Sequence, residues 1–126
     1  MTEDKCLCEP TEILVFPCSG GSNVGQITNE AAKSMTTLGY GKMYCLAGIG
    51  GHISSIIDAT KISKKIVAID GCPVHCARKT LEHVGFKSDV HVVVTDLGFK
   101  KESGFLMDNE EIEKVLQKVK GEFNEK

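Results

Sequence analysis

Apolar positions in this chain follow two alternating patterns. Short continuous runs, EILVFP (12–17), KMYCLAG (42–48), KKIVAID (64–70) and DVHVVVTDL (89–97), read as strands. Between them lie glycine turns and stretches with helical spacing. In the first such stretch Ile27, Ala31, Met35 and Leu38 share a face, and Gly39 is a natural stop. GIGGHISSIIDAT (48–60) predicts a short second helix with Ile53, Ile56 and Ile57 turned inward. PVHCARKTLEHVG (73–85) predicts a third, with Pro73 in its first turn, where the missing N–H costs nothing, and Gly85 at its end. Asp108 and Glu111 form a capping-box pattern ahead of a last helix with Ile112, Val115, Leu116 and Val119 on one face.

The strand runs do not alternate with polar residues, so both faces of the sheet are buried and the strands are mostly parallel. The expected fold is α/β: a small three-layer α/β/α domain with a mostly parallel sheet of about four strands. A length of 126 residues fits one domain, taken as 12–126, after a flexible N-terminal segment 1–11. With 41% apolar residues the chain can fill a core without disulfides.

A net charge of −2 offers no basic surface for nucleic acid. No apolar run is long enough to span a membrane, and MTEDKCLCEP lacks a signal-peptide pattern, so a cytoplasmic location is expected. Charge is uneven: both ends are acidic, while Ile13 to Met107 carries about +3. The thiols that carry chemistry lie in that mildly positive middle.

Six cysteines in a chain of this type point to metal or redox chemistry rather than a disulfide scaffold. Cys18, Cys45 and Cys72 lie 27 residues apart, twice over, about one strand–helix unit per step. That spacing places Cys18 and Cys72 just past the carboxyl ends of their strands and Cys45 in or near the end of its own. This is the edge where open α/β sheets bind ligands. Cys72 and Cys76, read as i and i+4 at a helix start, would share one face and gain thiolate character from the helix dipole. Together the four make a candidate thiolate set for zinc, with an iron–sulfur cluster or Cu(I) as other soft options. Cys45 fits equally well as a core residue of an apolar strand. Cys6 and Cys8 read as mobile.

PCSGGSNVGQI, CLAGIGG, DGCP and CARKTLEHVG, in that order, resemble the DGC-domain family, named for its Asp-Gly-Cys motif. The resemblance runs from about Ile13 to Lys100. It implies zinc on four cysteines, which match Cys18, Cys45, Cys72 and Cys76, and leaves the physiological role open.

Other side chains support the site or stand apart from it. Asp70 either bonds nearby backbone N–H groups or orients the site from behind. Ser19, Gly20 and Gly21 form a loop able to present N–H groups to a sulfur or a small anion. His75, His83 and His91 read as surface or packing residues, and His52 could reach the site edge. SGGSNVG lacks the Lys-Ser/Thr of a P-loop, and Gly48, Gly50 and Gly51 do not make a dinucleotide fingerprint. Two alternatives to a metal-binding protein stay open: a thiol redox or sulfur-transfer enzyme using Cys18, Cys72 and Cys76, and a small-anion-binding module.

Overall fold

β-Branched and aromatic residues drive the chain into the sheet first. In the computed structural model, which describes residues 13–124, β1 spans Ile13–Pro17 and β3 spans Lys65–Asp70. Both are buried along almost their whole length, as continuous apolar runs require. β2 is Lys42–Met43 and β4 is Val90–Val93. The order across the sheet is β2-β1-β3-β4, and every pair is parallel. The expected segment 1–11, with Cys6 and Cys8, lies outside the described residues.

Helices cover both faces, so the three-layer α/β/α domain is present. Helix α1 (Asn23–Leu38) and helix α5 (Asn109–Asn124) pack on one face. Val24, Ile27 and Met35 of α1 meet Val115, Leu116 and Val119 of α5 over Val15, Val67 and Val92. On the other face lie α2 (Leu46–Gly50), α3 (Ser54–Lys61) and α4 (Cys76–His83). Ile49, Ala77 and Leu81 pack there on Leu14, Phe16 and Ala68. The capping box closes as expected: Glu111 N–H donates to Asp108 Oδ1 and Asp108 N–H donates to Glu111 Oε1, each at 3.0 Å. Gly39 ends α1 in the left-handed conformation at φ 85°.

Four expectations need correction. The run KMYCLAG is not one strand. Only Lys42 and Met43 pair with β1, and Leu46 onward turns into α2, because Leu46 and Ile49, three apart, seat on the β1 face as a helix does. The single helix expected over 48–60 is α2 followed by α3, and Ile53 caps α3 with 48% exposure instead of facing inward. Leu38, expected on the inward face of α1, is 59% exposed at that helix's last turn. The fourth strand stops at Val93 and tightens into a 3₁₀ turn over Val94–Leu97. Its pairing with β3 ends where β3 ends, at Asp70 opposite Val93.

Candidate functional site at the strand ends

The sheet order sets the location. From β1 the chain leaves to α1 on one face, and from β3 it leaves to α4 on the other. Adjacent central strands whose connections diverge open a crevice at their carboxyl ends. Cys18 follows β1 and Cys72 follows β3, so they form the two lips of that crevice. The lips are pressed together at Gly71: a Cβ there would sit 2.8 Å from Gly25 N and from Val24 C. Only glycine lets the two backbones approach so closely, which gives the middle residue of the Asp-Gly-Cys motif a physical role.

Cys18 extends the β1–β3 ladder, its N–H donating to Ile69 O at 2.9 Å. Ser19 then takes φ 52°, and Thr28, fully buried on α1, holds this turn. Ser19 N–H donates to Thr28 Oγ1 at 3.0 Å, and Cys18 Sγ lies 3.7 Å from the same hydroxyl. Ser19 Oγ donates to Asn29 Oδ1 at 2.9 Å, and Gly20 O accepts from the Ser22 amide and the Gln26 side chain. Gly21 has open space around its Cα.

Cys72 and Cys76 are not one turn apart on a helix. Cys72 opens a tight turn closed by His75 N–H donating to Cys72 O at 3.2 Å, with Pro73 inside the turn. Cys76 is the first residue of α4. His75 precedes it at φ 62°, in the left-handed region that a non-glycine residue seldom occupies. Pro73 favours the turn and keeps Cys72, the residue before it, out of helical backbone.

Asp70 joins these pieces. Its carboxylate is 1% exposed and accepts from Ala77 N–H at 2.6 Å and Arg78 N–H at 3.2 Å, anchoring the start of α4. His91 Nε2 lies 2.8 Å from Asp70 Oδ2, and the His75 and His91 rings meet edge-on at 5.0 Å. His91 is therefore part of the site's support, not a plain surface residue. The parallel register explains it: His91 lies opposite Ala68, and Ala68 and Asp70 share one face of β3. Neighbouring-strand register is invisible in a single sequence. His52 packs edge-on against His83 at 5.2 Å and takes no part in this network.

Cys45 is exposed and caps α2, which excludes the core role left open for it. With Cys18 it lines a cleft of about 470 Å³ whose other walls include Pro17, Tyr44, Leu46 and Thr80. Lys101, from the loop after the 3₁₀ turn, brings its Nζ to 3.5 Å from Cys72 Sγ. Lys101 sits in a polar loop far along the chain, where no local sequence pattern marks it. Thr95 Oγ1 is buried without a hydrogen-bond partner among the described residues, and Thr95 N–H donates to Gly71 O at 3.2 Å.

The thiols sense one another. Partial burial pushes the Cys76 thiol above its ordinary range, and Cys18, Asp70 and Cys72 push it the same way, while Lys101 opposes them. The helix start thus fails to give Cys76 easy thiolate character: burial first, and then the neighbouring Cys18, Asp70 and Cys72, disfavour the charged form. Cys18, Cys72 and Cys76 are in electrostatic range, and Cys45 shares the cleft with Cys18. Among the described residues, no three His, Cys, Asp or Glu side chains are arranged to hold one metal ion. Soft thiol donors suit zinc in kind; a coordination shell would need the side chains to draw together.

The structure is a parallel α/β domain with cysteines at its switch point and an Asp-Gly-Cys turn. The sequence profile of the DGC domain matches residues 14–119, and the chain belongs to the DGC domain family. It is similar to the anaerobic and virulence modulator AnvM of Pseudomonas aeruginosa, 31% identical over 103 residues, which cover 82% of this chain and 79% of that protein. No solved structure matches the chain significantly. Among the described residues no helix is long and apolar enough to cross a membrane.

Proposed function

We propose that the chain binds a soft metal ion, zinc before an iron–sulfur cluster, through Cys18, Cys72 and Cys76, with Cys45 reaching in from α2 as the fourth ligand. One observation carries this: three thiols and a buried carboxylate gather at the switch point and disfavour ionisation of Cys76. Such a cluster gains most from a cation. A bound zinc ion supplies the positive charge that lets the thiols ionise together. Asp70 would then act from behind, holding α4 and His91 in place. The relative AnvM is named a modulator, which fits a regulatory protein better than a hydrolase and says nothing of metal.

The test is metal analysis of protein purified without oxygen. About one zinc per chain is expected for a single four-ligand site, with loss of most of it in Cys72→Ser and Cys76→Ser. A visible charge-transfer spectrum instead of zinc would assign the cluster. Folded, metal-free protein with all four thiols freely titratable would overturn the reading.

A second reading, thiol redox or sulfur transfer, has one observation in its favour: the Lys101 ammonium beside Cys72 Sγ. Cys72 would attack a disulfide sulfur of a substrate, expelling its other half as a thiol. Cys18 or Cys76 would then displace the product thiol and leave a protein disulfide, two electrons having passed to the substrate. Rapid turnover of a disulfide probe by zinc-free protein, abolished in Cys72→Ser, would favour it. The anion-binding reading has less support, because the Ser19 amide is already bonded to Thr28.

A further inference from the structure

Lys101 is held in place by a residue the cysteine motif does not include. Asn23, the first residue of α1, is 6% exposed. Its side-chain amide donates to Lys100 O at 2.9 Å, and its Oδ1 accepts from Glu102 N–H at 2.6 Å. Its own backbone N–H donates to Glu102 O at 3.3 Å. Three hydrogen bonds thus grip both neighbours of Lys101 and leave its side chain to cross to the other lip of the crevice. Phe99 and Met107 anchor the same loop against the α1–α5 core. The result is the 3.5 Å contact of Lys101 Nζ with Cys72 Sγ, and Lys101 also acts on Cys76 from the same position.

We infer that Lys101 is the specificity-determining cation of the cysteine site, and that Asn23 is the residue that positions it. The inference rests on Cys72 being a site residue, not on the identity of any metal. An ammonium within contact of the sulfur favours reactants and ligands that carry negative charge over uncharged ones of the same size. The class assigned to Cys72 is therefore small anions able to engage a soft sulfur centre. Cys18, on the opposite lip, has its hydroxyl neighbour Thr28 and lacks this contact.

The experiment uses the full chain, reduced and held with excess chelator. Cys72 is labelled with iodoacetate or with iodoacetamide, and rates are read peptide by peptide by mass spectrometry. The ratio of the two rates cancels the fraction of thiolate and isolates the effect of charge on the reactant. Lys101→Met should lower that ratio at Cys72 about threefold to fivefold, leave the ratio at Cys45 unchanged, and be partly rescued by Lys101→Arg. Asn23→Ala, which removes both side-chain hydrogen bonds to the loop without adding charge, should lower the ratio in the same direction while Lys101 remains. An unchanged ratio in Lys101→Met overturns the role of Lys101. A ratio in folded Asn23→Ala equal to that of the parent overturns the role of Asn23. Because no metal is present, failure here leaves the zinc reading untouched, and failure to find zinc leaves this one standing.

Discussion

At the scale of single residues, Asp70 and Cys76 carry opposite obligations. Asp70 accepts two backbone N–H groups from α4 and faces His91. Asp70→Ala strands those donors in a buried place and is expected to cost about 2–4 kcal/mol, measured by urea unfolding. Cys76 behaves in the other sense. Its thiol titrates above the ordinary range because burial, Cys18, Asp70 and Cys72 disfavour the thiolate. A raised acid binds its proton more tightly folded than unfolded. Metal-free protein therefore keeps this contribution below the ordinary thiol range and loses it as pH rises through that range and the folded value. The melting temperature of chelated, reduced protein should fall on the alkaline side of about pH 8.5, and Cys76→Ser should flatten the fall. An identical alkaline slope in both proteins would contradict the assignment.

Elements decide how the residues meet. The turn after β3 touches α1 backbone to backbone at Gly71, where a methyl group finds Gly25 N at 2.8 Å. Gly71→Ala should destabilise the domain by about 1–3 kcal/mol and cut the zinc retained by a wider margin than the stability loss alone explains. Calorimetry and metal content on the same sample would separate the two. At the other end of the chain, Asp108→Ala removes the cap of α5 and should cost about 1 kcal/mol, with metal content unchanged. How much could be read in advance differs by element. Strands β1 and β3, the stop at Gly39 and the cap at Asp108 were legible because each rests on a local rule of composition or chirality. The run 42–48 was not, because seven mostly apolar residues read as one strand when they divide into a two-residue edge strand and the start of a one-turn helix that seats Leu46. The helix expected to hold both Cys72 and Cys76 begins only at Cys76, because residues 72–75 close a separate turn and His75 leaves it in the left-handed conformation at φ 62°. His91 and Lys101 could not be found at all: one depends on register between β3 and β4, the other on a loop pinned by Asn23 from 79 positions away.

For the molecule as a whole, two separate cores flank the sheet, one under α1 and α5 and one under α2 and α4. The cysteine crevice only borders them, with Cys72 partly buried against the first core and Cys18 against the second, so the fold does not depend on a ligand for its bulk. A chelator should therefore lower the melting temperature of metal-loaded protein, as removal of any ligand of the native state does, yet leave the helical circular dichroism intact. Collapse of the far-ultraviolet signal on chelation would mean that the two cores are insufficient. Zinc retention should also decline on acidification, as protons compete for the thiols.

The neighbours β1 and β3 are far apart in sequence, with α1, β2, α2 and α3 between them. A chain still emerging from the ribosome exposes Cys18 and Cys45 well before Cys72 and Cys76 exist. No metal captured at that stage could find the full ligand set, and two early thiols are open to oxidation or to the wrong ion. On the proposed zinc reading, loading of the crevice follows docking of the third strand beside the first. A cell depleted of zinc during synthesis and resupplied afterwards should therefore fill the protein as completely as one never starved.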